Sequence, residues 1–77
     1  MITAFTTKEE LLEIASSTVR GLQRNEEFSV SDLFRKIEWK RIPIRTRRAL
    51  GALFYDCKDE LDITPIGTGS PQRYIKN

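Results

Sequence analysis

The sequence predicts an α+β domain of three helices, one short strand after the first helix, and a C-terminal β-hairpin. Three observations carry that expectation. Thr7 and Glu10 form a helix-start pair ahead of an apolar stripe at helical spacing. The stretch from Trp39 to Cys57 divides into an apolar face and a cationic face. Two alternating segments flank a Gly/Ser/Pro cluster near the C-terminus.

The first helix starts after Phe5-Thr6-Thr7, where Thr7 with Glu10, or Thr6 with Glu9, makes a capping box. Glu9 and Glu10 place acids in the first turn, as the helix dipole favours. Leu11, Leu12, Ala15, Val19 and Leu22 form its buried stripe, which carries the helix to about Arg24-Asn25. Arg20 and Arg24 near the C-terminal end suit the dipole and read as structural. Glu26-Glu27 is a polar joint, and Phe28-Ser29-Val30 alternates as a very short strand. Ser31 as N-cap and Asp32 behind it open a second helix through Leu33, Phe34 and Ile37, closed by Trp39 as a core wedge. Lys40-Arg41-Ile42-Pro43 is a turn, with Pro43 suited to the first turn of the third helix.

In that third helix Thr46, Leu50, Leu53, Phe54 and Cys57 fall on one side and supply ordinary core. Arg41, Arg45, Arg48, Ala52 and Tyr55 fall on the other, with Gly51 flanking. The cations stand at the wrong end for helix stability. A helix N-terminus carries partial positive charge, so each exposed cation there costs about 0.3–1 kcal/mol. Asp56, Asp59 and Glu60 sit at the far end, where anions are equally disfavoured. A helix arranged against its own dipole points to an external polyanion, and Gly51 and Ala52 leave room for close approach. Beyond it, Leu61–Ile66 alternates as a strand in which Pro65 demands an edge position. Residues 67–71 form a turn, and Gln72–Lys76 is the returning strand.

Charge along the chain sharpens this reading. The net charge is only +2, but residues 35–48 hold seven cations against Glu38 alone, a local charge of +6. The remaining six cations and ten acids leave the rest of the chain at −4. Such segregation suits an anionic partner. The absence of histidine removes His-based triads and the usual zinc ligands, and a single cysteine excludes an internal disulfide. No Gly-rich phosphate loop is present. An enzyme is not expected, nor is a metal, cofactor or small-molecule ligand. The expected protein is one domain over residues 1–77, soluble and cytoplasmic, with neither a basic leader nor an apolar run of membrane-spanning length.

The order α, short β, α, α, β-hairpin is that of the winged helix-turn-helix. Through Phe28–Phe34 (FSVSDLF), Trp39, Pro43, Arg47–Phe54 (RRALGALF) and Gln72–Lys76 (QRYIK), the chain resembles winged-helix DNA-binding proteins over nearly its whole length. More narrowly, it resembles a small bacterial family of single winged-helix proteins often associated with phages, plasmids and other mobile elements. The resemblance implies double-stranded DNA binding, often for transcriptional control, with the third helix reading the major groove.

On that basis Arg45 and Arg48 are the candidates for base-edge contact, since Arg to guanine is the commonest specific pairing. Lys40 and Arg41 are expected at backbone phosphate, and Arg47, at the border of the core face, likewise. Thr46 either packs inward or bonds a phosphate, with inward packing favoured. Arg35 and Lys36 either reach phosphate or stay solvated or paired with Glu38. Tyr55 either bonds a phosphate or covers the core rim, with the rim favoured. Arg73 is either a backbone contact or the cross-strand partner of an acid. Cys57 is expected as a buried small hydrophobe. The hairpin turn carries no cation between Gly67 and Pro71, which argues against a strong wing contact. One such module buries only about 600–1,000 Å² on DNA, so pairing as a homodimer or with a protein partner is expected. The rival reading is a winged-helix adaptor that binds an acidic protein surface.

Overall fold

The computed structural model describes residues 1–67, 69 and 71–77. Three helices and a small three-stranded antiparallel sheet make an α+β fold: α1 Lys8–Arg20, β1 Glu27–Ser29, α2 Lys36–Arg41, α3 Ile44–Asp56, β2 Ile63–Ile66 and β3 Arg73–Lys76. The sheet order is β1-β3-β2, so the last strand is central and pairs with both others. Pro65 lies in β2 on an outer strand, where its missing N–H disturbs no second ladder. The tip of the hairpin turn at Thr68 and Ser70 lies outside the described residues.

The start of α1 follows its sequence signal. The Glu10 N–H donates to Thr7 Oγ1 at 3.2 Å, and the Thr7 N–H donates to Glu10 Oε1 at 3.3 Å. Leu11, Ala15 and Val19 are fully buried. The helix stops at Arg20, earlier than expected, because Gly21 caps it and Asn25 takes a left-handed φ of 72° to turn the chain into β1. The Asn25 N–H then donates to the Lys76 carbonyl at 2.8 Å, which ties this turn to the central strand.

The second helix departs most from expectation. A 3-10 turn, Val30–Leu33, replaces its first half, and α2 begins only at Lys36. The cause is local. The Asp32 carboxylate accepts from both the backbone N–H and the hydroxyl of Ser29, at 2.8 and 3.1 Å, which tightens the turn around Ser29 rather than Ser31. Phe34 and Arg35 are extended, so Ile37 loses its helical register with Leu33 and stands 62% exposed instead of buried. The α3 helix starts at Ile44 with Pro43 as N-cap, one position short of the first-turn site expected for it. It ends at Asp56 rather than continuing through Glu60, and a run of turns leads to Asp62 at φ 59°.

Three aromatic rings fix α3 against the sheet. Phe28 of β1 and Tyr74 of β3 are cross-strand partners stacked at 5.9 Å. Phe54 of α3 meets Tyr74 edge-on at 5.1 Å and Phe28 at 6.4 Å. Leu50, also fully buried, completes the inward side of α3, whereas Thr46, Leu53 and Cys57 are only half-buried. Cys57 is thus not the buried hydrophobe expected; it is the C-cap of α3, at the margin of the core. Ile2, with no helix or strand around it, plugs the core at 3% exposure.

Candidate nucleic-acid interface

The outward side of α3 follows from its inward one. With Leu50 and Phe54 buried, a rotation of about 100° per residue brings Ile44, Arg45, Arg48, Ala52 and Tyr55 outward. All five are exposed. The first turn holds no acid and the last turn no cation, so the dipole is opposed at its N-terminal end and unassisted at the other. Lys40, at the end of α2, is also exposed. Among the described residues the sole ion pair is Lys76 with Asp62 at 3.8 Å, far in sequence from this cluster. The cations of residues 35–48 therefore make no ion pair among the described residues, Arg35 and Lys36 with Glu38 included, and all of them but Arg47 are exposed.

Two of the expected phosphate ligands have work inside the molecule. Arg47 is half-buried: its Nη2 donates to the Trp39 carbonyl at 2.9 Å, and its guanidinium carbon stands 5.2 Å from the centre of the Trp39 ring. Its Nε is buried and makes no hydrogen bond. These internal contacts weigh against the expectation that Arg47 meets phosphate. This guanidinium belongs to the joint between α2 and α3, and Trp39 is the platform under it. Trp39 in turn stacks on Phe34 at 5.5 Å and is half-buried, so it is less a core wedge than a cover over the joint. Arg41 is exposed, but its Nη1 donates to the Ile2 carbonyl at 3.3 Å, tethering the N-terminal segment. Thr46 sits on the half-buried side, in keeping with inward packing.

Arg73 occupies the central strand, exposed, with Ser29 and Ile66 as its cross-strand neighbours. It makes no ion pair among the described residues, so the acid partner considered for it is not there. Tyr55 is 44% exposed, with the Lys58 ammonium 4.3 Å from its ring centre. Between α3 and β3 runs a cavity of about 570 Å3, lined in part by Trp39, Arg48, Gly51, Tyr55, Gln72 and Tyr74. Burial raises the pKa of the Tyr74 phenol above its usual 10.0, and the nearby Tyr55 phenol adds to the rise. Gln72 Nε2 bridges the carbonyls of Ile66 and Gly67 at 3.0 and 3.2 Å, bracing the start of the hairpin turn beside this cavity.

Two features escaped the sequence reading. Ile44 stands 61% exposed at the head of α3, and helical spacing alone places it in line with Arg48, Gly51 and Tyr55. The cavity depends on how β3 packs beside α3, for which the sequence carries no short-range signal. Among the described residues no group of His, Cys, Asp and Glu could hold a metal ion, and no helix is long and apolar enough to cross a membrane.

Residues 13–65, more than half of the chain, match the family described as Domain of unknown function (DUF1413). That span runs from the middle of α1 to the edge strand and includes the whole cationic segment. Comparison with curated proteins and with solved structures gives no match. The chain belongs to the DUF1413 family.

Proposed function

We propose that this member of the DUF1413 family is a cytoplasmic winged-helix protein that binds double-stranded DNA and regulates transcription. In this reading α3 enters the major groove by its N-terminal turn, α2 lies across the backbone, and the β2–β3 hairpin is the wing. The supporting observation is the N-terminal end of α3: Arg45 and Arg48 exposed over its first two turns, no acid in the first turn, and no ion pair to either arginine among the described residues. A folded chain retains such an arrangement against its dipole most readily when an outside anion completes it. Arg45 and Arg48 take base edges, and Lys40 with Arg35 and Lys36 takes phosphates. Arg41 and Arg73 add contacts at the margin.

Fluorescence anisotropy with random-sequence duplex at low salt tests this directly. With Arg47 withdrawn, four to five phosphate contacts remain, so log K falls against log salt with a slope of about −4. Arg45→Ala with Arg48→Ala cuts affinity sharply while the melting temperature holds or rises slightly, because the dipole penalty is relieved. Arg20→Ala with Arg24→Ala leaves affinity intact. Equal loss from both pairs defeats the assignment of Arg45 and Arg48 as the site, and no duplex binding by the intact chain defeats the proposal and favours an acidic protein partner.

A further inference from the structure

We infer that Ile44 is a specificity-determining contact that reads the 5-methyl group of thymine. The inference rests on the duplex-DNA reading above. Ile42 is 2% exposed and Ile44 61%, so the chain swings from core to surface across Pro43 and delivers an isoleucine to the head of α3. Nothing local favours isoleucine there. A β-branched residue is a poorer helix former than the Ala, Lys or Glu usual at exposed helical positions. In position it adjoins both arginines: Arg45 follows it directly, and Arg48 stands one turn along the same line of α3.

The chemistry of the duplex says what an apolar group beside two guanidiniums would meet. Phosphates and guanine edges satisfy arginines and offer nothing to an aliphatic side chain. The one apolar feature on the major-groove edge is the thymine methyl. Ile44 therefore selects a thymine beside the bases or phosphates taken by Arg45 and Arg48. Ile37 has the same side chain and nearly the same exposure, 62%, but stands on α2. It serves as the internal control.

The test uses duplexes selected by the full chain from a random library. Each thymine is replaced in turn by deoxyuridine, which lacks only the methyl, and affinity is read by anisotropy at fixed salt. The intact protein loses about fourfold at one or two positions, the effect of one methyl-sized group leaving an apolar contact. Ile44→Ala binds the thymine and uracil duplexes alike, whereas Ile37→Ala keeps the discrimination. Indifference of the intact protein to deoxyuridine at every position overturns the inference, as does discrimination that survives in Ile44→Ala. Either result leaves duplex binding standing. Absence of binding to any duplex overturns this inference together with the DNA reading.

Discussion

Gly51 offers a perturbation in which stability and binding move in opposite directions. It lies in the interior of α3, and a Cβ added there meets nothing within 4 Å. Glycine within a helix is destabilising relative to alanine by about 0.8–1 kcal/mol, through the backbone freedom lost on folding. With no clash to offset that gain, Gly51→Ala raises stability by about 1 kcal/mol, which for a domain of this size is about 4–8 °C in melting temperature. Gly51→Leu has nearly the same helix propensity. Its branched side chain, however, enters the cavity of about 570 Å3 beside Tyr55 and Gln72. A DNA backbone approaching α3 from that side is then held off, and affinity falls by about tenfold or more, equivalent to about 1.4 kcal/mol. Differential scanning fluorimetry and anisotropy on the same samples read both quantities. A Gly51→Leu protein that melts at or above the parent and binds duplex as tightly refutes the close approach. A Gly51→Ala protein that melts lower refutes the helix argument itself.

Arg47→Met separates a structural arginine from its exposed neighbour. It removes the bond to the Trp39 carbonyl and the contact with the Trp39 ring, together worth about 2–3 kcal/mol, less whatever the unbonded Nε already costs. A net loss of about 1–2 kcal/mol and a shift in Trp39 emission are expected on urea unfolding. Tyr74→Phe tests the buried phenol. Its pKa is raised in the folded state, so the stability it contributes is complete below pH 10 and declines as pH climbs through the folded value. Between pH 8 and 11 the parent should lose melting temperature faster than Tyr74→Phe, and parallel curves exclude the effect. Thr7→Ala breaks the reciprocal cap of α1 and should destabilise by about 1 kcal/mol in thermal melts, with duplex affinity unchanged.

The elements governed by short-range rules were legible in the sequence. The Thr7–Glu10 cap, the Leu11/Ala15/Val19 stripe and the edge position of Pro65 all stand as expected. The misreadings share a cause. At Ser29–Asp32 a side chain competes for the backbone, and periodicity counts Leu33 and Ile37 as one helical face without seeing that competition. The bond from Arg41 to the carbonyl of Ile2, 39 residues away, lies beyond any window. Arg45 and Arg48 face outward as their spacing implies, because Leu50 and Phe54 fix the inward direction of α3.

The neighbouring arginines 47 and 48 show how one charge run divides into two jobs. A step of about 100° takes the chain from the half-buried side of α3 to the exposed side. On the first, the guanidinium joins the carbonyl and ring of Trp39 and so fixes the end of α2 to the beginning of α3. On the second, it has no acid partner among the described residues. The joint matters because the first turn of α3 has no side-chain cap and a cationic load against its dipole, so little in the turn itself defines its direction. Arg47 supplies from the core side what a capping residue supplies elsewhere. It holds the helix entry at a fixed angle, so that Ile44, Arg45 and Arg48 are presented as one rigid surface. Loss of Arg47 should therefore weaken duplex binding without removing any contact to DNA. The salt slope separates the cases: it stays near −4 in Arg47→Met if the residue only positions others, and becomes shallower by about one if it meets phosphate itself.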